Sequence, residues 1–385
     1  MTSALPTGRW SRRTFLLGTA GAVSAGPFGL LGCSAPGGPV SPQGPGADPG
    51  PSTTDPPVGS APPQPAEPSV SVFPGSVEAA TIEDSLAAHA ATVLAVGSKD
   101  LGKAGRRLVA AIRDQHLAHA AALRTTDPTD PNTADPNTAD PNATEPNSKP
   151  PTSGGTTAPS PSTSQSVTKP GFAKAVDQLL AAESKAAVAH RGSALTTEGL
   201  ASLLWGSLAV SATHLGAVLK AADLAGDKPD PTVATVAAAR ARAPMPVVPV
   251  VEAEQEMVRQ LHAVIYGYQL ALGRLTGARR DTAAAELRRH RILRDRLTAR
   301  LLNRKAAVPV AAAAYVPSTN PRNPATAAKL IRQMETALVP FCGLWLAASA
   351  APAERTEALD QVGRTLAVAR RWNASLPAWP GWQPA

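Results

Sequence analysis

The chain has 385 residues, a formal net charge of +8, 39 prolines and only two cysteines, Cys33 and Cys342. That length allows two domains, and so few cysteines exclude a disulfide-stapled scaffold. Aromatic residues make up only 4% and do not interleave with the basic ones, which argues against nucleic acid as a partner.

Residues 1–33 read as an address. Ser11-Arg12-Arg13-Thr14-Phe15-Leu16 matches the twin-arginine export consensus, and a weakly apolar, glycine-rich stretch follows from Leu17 to Leu31. It is too short and too rich in glycine to remain as a spanning helix. Leu30-Leu31-Gly32-Cys33 has the form of a lipobox, in which the cysteine is diacylated after cleavage. Two acyl chains give stable attachment where one does not. The expected location is therefore the outer face of the cytoplasmic membrane, anchored through Cys33. With Cys33 lipidated, Cys342 is left as a small buried hydrophobe in an apolar helical run. Export in the folded state is compatible with a bound ligand.

Residues 34–77 and 125–170 hold 23 of the prolines and almost no large apolar side chains. Neither segment can bury enough surface to fold. The first is a tether, able to reach on the order of 100 Å as polyproline II. The second carries the period-five tract Asp130-Pro-Asn-Thr-Ala-Asp135-Pro-Asn-Thr-Ala-Asp140 and reads as a disordered insertion, its Thr, Ser and Pro content compatible with O-glycosylation.

The remainder carries apolar residues at helical spacing. Helices are predicted over 77–97, 99–124, 171–191 and 194–225, then, after a Pro-rich hinge at 226–248 with a short Ala-rich helix at 231–242, over 249–276, 279–304, 323–349 and 352–374. Asn323-Pro324 is an N-cap followed by proline at the first helical position. Pro340 should kink its helix near Glu335–Ala337. No segment alternates with period two. In each half the first and second helices, and the third and fourth, are joined by short turns, whereas the middle link is long (125–170 and 305–322). One long crossover between two helical hairpins is the ferritin-like topology. The predicted fold is all-α: two tandem ferritin-like four-helix bundles, 78–225 and 249–385, with long disordered Pro-rich segments.

The second half offers Glu252, Glu254 and Glu256 running into Leu261-His262 and Tyr266-Gly-Tyr268. An Arg-rich helix from Arg288 to Arg300, the loop Ala314-Tyr315-Val-Pro317, the Asn323-Pro324 start and a terminal Arg371-Trp372 follow. On these residues it resembles a ferritin-like domain of unknown function found in lipoproteins of high-GC Gram-positive bacteria. The resemblance covers about a third of the chain and implies a fold rather than an activity. The first half looks like a divergent copy.

A ferritin-type di-iron centre needs a Glu from each of two helices and a Glu-x-x-His pair from each of the other two. The second half supplies Glu254 or Glu256, Glu335, and Glu286 with His290 four residues on; its last helix supplies nothing, so six ligands cannot be assembled. The first half holds five of the seven histidines. His89, His116, His119, His190 and His214 place at least one imidazole on every helix, with Glu183 as the central carboxylate; His214 follows Ser211 where a Glu-x-x-His would have its acid. An imidazole-rich set suits zinc, copper, nickel or iron. Hydrogen-bonded structural histidines explain the same pattern, and no cofactor is the default expectation. Glycine-rich phosphate loops, Cys-x-x-Cys, His-Glu-x-x-His and a nucleophile elbow are absent from the sequence.

Charge is uneven: residues 249–385 hold 19 basic and 10 acidic residues. Arg296, Arg300 and Arg304 line one face at i, i+4 spacing, unpaired with acids, and read as a basic face, either simply solvated or drawn to anionic lipid or an acidic envelope polymer. The C-terminal Leu376-Pro-Ala-Trp379-Pro-Gly-Trp382 is an aromatic tail that can dock on the helices or on a partner. Two functions follow: a non-catalytic, membrane-tethered module binding an envelope partner through its basic half, or a metal-binding or redox protein using the histidines of the first half.

Overall fold

The structure, a computed structural model, describes residues 73–130, 171–228, 235–237 and 242–384. The export motif with Arg12 and Arg13, the lipidation site Cys33, the tether up to residue 72 and most of the 125–170 insertion lie outside these residues. All regular structure among the described residues is helical: α1 (Ser76–Val96), α2 (Lys103–Leu123), α3 (Phe172–Thr196), α4 (Gly199–Ala221), α5 (Val250–Leu272), α6 (Gly277–Asn303), α7 (Pro324–Ala348) and α8 (Pro352–Arg371). In the first half α1 packs on α2, α3 on α4, and α1 on α3; in the second α5 packs on α6 and α7, and α7 on α8. The halves meet chiefly through α4 against α7.

Local chemistry sets the boundaries. Asn323 caps α7 by accepting from the Thr326 N–H at 2.9 Å, while the Thr326 hydroxyl takes the Asn323 N–H at 3.0 Å, and Pro324 fills the first position. The helix continues through Pro340. Between α3 and α4 the break falls at Thr197–Glu198, so α3 runs five residues beyond the predicted 191. Helix α4 is apolar on nearly every face and long enough to cross a membrane by length and composition, yet 83% of its most apolar window is buried inside the protein. It is the core helix, packed against both α3 and α7. Gly206 allows the approach, since a Cβ there would lie 2.7 Å from Leu346 Cδ2.

Two expectations are corrected. The short helix predicted over 231–242 is not what residues 235–237 form: they are extended, with the Leu376 N–H donating to Thr235 O at 2.7 Å and the Ala237 N–H to Leu376 O at 2.9 Å. Pairing with the tail satisfies main-chain groups that a helix would have satisfied internally. Second, Arg296, Arg300 and Arg304 are not unpaired. Arg300 bonds Glu254 at 3.1 Å and Glu357 at 2.6 Å, Arg296 bonds Glu357 at 2.6 Å, and Arg304 reaches Glu254 and Glu354. The acids come from α5 and α8, which a reading of α6 alone cannot see. Only Arg296 keeps more than half of its side chain exposed.

The aromatic tail docks on the protein. Leu376, Trp379 and Trp382 are buried, and the Arg242 guanidinium lies between the Trp379 and Trp382 rings, 4.4 and 4.3 Å from their centroids. Arg242 also donates to the Pro128 carbonyl. The tail can lie against α7 only because Gly343 lacks a side chain: a Cβ there would sit 1.9 Å from Gly381 O.

Candidate metal centre

The buried stripe of α1 runs through Ala79, Ala80, Glu83, Leu86, Ala87, Ala90 and Val93, the i, i+3, i+4 spacing of a core face. Alanines around Glu83 let the neighbouring helices come close, so a carboxylate occupies a position that periodicity assigns to the interior. On α2, His116 and His119 are one turn apart and face it; on α3, Glu183 and His190 are two turns apart on the same face. All five side chains are almost fully buried.

They form one network. His116 donates from Nδ1 to Glu83 Oε2 at 2.7 Å and from Nε2 to Glu183 Oε1 at 2.8 Å. His119 reaches the same Glu83 oxygen from Nδ1 at 3.0 Å, and His190 donates from Nε2 to Glu83 Oε1 at 3.0 Å. Glu83 is thus the hub of three imidazoles. Burial acts to raise its carboxyl, but the charge of His119 and the three hydrogen bonds outweigh this and hold it well below the usual carboxylate range. Burial acts to lower His116, and the two carboxylates on its ring nitrogens reverse the effect, raising it to about 10. Burial pushes the Glu183 carboxyl up despite His116, and its Oε2 atom is buried without a partner.

The second half closes the site. The Nε2–H of His119 donates to the Ala378 carbonyl at 2.7 Å, and the Trp379 ring lies over His119 with centroids 4.5 Å apart. A carbonyl oxygen only accepts, so the bond places a hydrogen on Nε2 and turns Nδ1 toward Glu83. This is the outer-shell arrangement that fixes the tautomer of a metal-ligating histidine. His190 stacks on Trp205 at 6.3 Å, and Gln115 bridges to Ser211 at 2.8 Å.

Of the residues singled out from the sequence, His116, His119, Glu183 and His190 come together. His89 is half-buried and sits six residues beyond Glu83, about 120° around the helix. His214 turns toward α8, between Gly363 O at 3.1 Å and Arg370 at 2.6 Å; burial and the guanidinium push it down to about 4. Glu83 is the residue that sequence reasoning missed. Its signal was the stripe itself, whose interval between Ala79 and Leu86 contains an acid.

Glu83, His116 and His119 each offer one ligand atom, and these atoms lie within 4.8 Å of one another. One carboxylate and two imidazoles are the donor set of an open divalent site. The unpartnered Glu183 oxygen beside them fits a cation as well, and this His/Glu cluster can hold a metal.

In the second half, arginines hold two of the three buried carboxylates. Glu254 is held by Arg300 and Arg304, and Glu286 by Arg289 and Arg371. Glu335 accepts from Tyr268 and, at 2.7 Å, from His290. Among the described residues only the first half assembles a metal-type cluster.

Comparison with known proteins finds a domain match in the second half and no activity. Residues 253–384 match a domain of unknown function (DUF4439). No curated protein matches. Among solved structures, the chain is similar to a conserved hypothetical protein, rv2844, from Mycobacterium tuberculosis, with 26% identity over 32% of this chain and 92% of that one and a TM-score of 0.31.

Proposed function

We propose that this chain is a metal-binding protein that holds a divalent transition-metal ion of the zinc, iron or copper class through Glu83, His116 and His119, with His190 and Glu183 completing the surroundings. The observation that carries it is the convergence of two carboxylates and three imidazoles from α1, α2 and α3 in a nearly solvent-free interior. Burying so many ionisable groups is costly, and a cation is what such a set compensates best. When bound, the ion supplies Lewis acidity or redox capacity. The chain's own part is to keep His119 oriented through Ala378 and to exclude water with Trp379 and Trp205.

In this reading both halves are ferritin-like four-helix bundles, supported by the short, long, short connections and the pairing of α1 with α2 and α3 with α4. The first retains a changed ligand set, and the second has replaced its own with arginine pairs and serves as the cover. The export and lipobox motifs at residues 11–33 support a location on the outer face of the membrane. Cobalt(II) titration followed by visible absorption tests the metal reading. A saturable spectrum, displaced by zinc and lost in Glu83→Gln and His119→Ala, supports it. No saturable spectrum in the wild type, or an unchanged one in both variants, sinks it.

A further inference from the structure

The second half carries a groove of about 430 Å³ where α6 and α7 begin and α8 ends. The crossover topology makes α6 and α7 run in the same direction, so both N-termini lie at this end. Arg279, Lys329, Arg332 and Arg371 line the groove, with Thr282 and Trp372, and no carboxylate does. The side chains of Arg279, Lys329 and Arg332 make no ion pair or hydrogen bond among the described residues, in contrast to the laddered Arg296, Arg300 and Arg304. Arg371 has Glu286, but shares it with Arg289.

Cations facing one concavity without an acid repel each other, and the arrangement is relieved by an anion. The start of α6 adds to the pull. Thr276 makes no side-chain cap, and the first-turn N–H groups of Ala278 and Arg279, both lining the groove, have no intrahelical acceptor. Trp372, Ala325 and Ala328 give an apolar wall. We infer that this groove binds a phosphate group. Three arginines and a lysine suit a multiply charged oxyanion that guanidinium forks can grip two oxygens at a time. The volume accommodates pyrophosphate or a small phosphate ester. This inference is independent of the metal reading, and it moves the anion-binding role from Arg296, Arg300 and Arg304, which acids neutralise, to the N-terminal end of α6, where of the four cations Arg371 alone has an acid partner among the described residues.

A phosphate reaches such a groove from a soluble ester or from a phospholipid headgroup, and two arms separate these. Full-length protein carrying Cys33→Ser, so that no anchor contributes, is titrated calorimetrically with pyrophosphate and co-sedimented with vesicles of phosphatidylglycerol against phosphatidylcholine. The test variant is Lys329→Ala with Arg332→Ala. The control, Arg107→Ala with Lys220→Ala, removes the same charge from exposed positions on α2 and α4. Pyrophosphate affinity falling at least about tenfold in the test variant alone supports the site with a soluble source. Loss of phosphatidylglycerol binding in the test variant alone, with no pyrophosphate binding, supports it with a headgroup source. Binding of neither by the wild type, or equal losses in both variants, overturns it. Thermal unfolding of both variants, expected to match the wild type because all four side chains are surface groups, confirms that the fold is intact.

Discussion

The His119 Nε2–H donates to the main-chain oxygen of Ala378 at 2.7 Å, a bond that spans 259 residues of sequence. Through it the second half completes a site whose side chains all belong to the first. The tail that supplies Ala378 is held by the pairing of residues 235–237 with Leu376 and by Arg242 between two tryptophans.

Trp379 is the cover over His119. Trp379→Ala should open the site without touching a ligand. Carbethoxylation of His119, followed by mass spectrometry, should rise about tenfold, and metal exchange should quicken while the stoichiometry stays the same. Protection equal to that of the wild type would show that the tail does not limit access.

Glu83 is the hub, and removing its charge strands three imidazoles. In the metal-free protein Glu83→Gln should lose about 3–5 kcal/mol of stability, the cost of breaking a buried charged network. Glu78→Gln, an exposed acid on the same helix, should lose less than about 0.5 kcal/mol. Urea unfolding of the two variants gives the comparison.

The pH dependence of the metal-free protein has two limbs. His214 falls to about 4 in the folded state from an ordinary 6.5, so the unfolded chain takes its proton first and stability declines as pH drops from about 6.5 to 4. Glu83, held low, adds a further loss as pH falls below the ordinary carboxyl value of 4.5. His116 is raised to about 10, so its contribution is full below 6.5 and is lost as pH rises toward 10. Urea midpoints against pH should show both limbs, and His214→Gln should flatten the acid one between 6.5 and 4.

Gly343 and Gly381 are in close contact, and Gly381 has φ +90. Gly343→Ala should displace the tail, lowering stability by about 1–3 kcal/mol as overpacking does and exposing His119 to the same reagent. Unchanged protection in this variant would mean that the tail tolerates the added methyl.

Much of the fold was legible because helical periodicity and Asn-Pro or Pro starts are local signals; α7 and α8 begin where Asn323 and Pro352 place them. The site was partly legible. His116, His119, Glu183 and His190 share faces that spacing alone reveals. Glu83 was hidden because an acid among alanines reads as a polar interruption, and only the packing of α1 on α2 and α3 shows three imidazoles waiting for it. The pairs of Arg300 and Arg304, and the landing of Ala378 on His119, join elements far apart in the chain, and no pattern within one helix encodes them.

The most direct test of the central claim is the metal content of wild-type protein, purified without chelators, beside Glu83→Gln and His119→Ala. The account predicts about one transition-metal ion per wild-type chain and below about a tenth in either variant. A wild type that is metal-free and takes up none when supplied, or variants that retain the wild-type content, would contradict it.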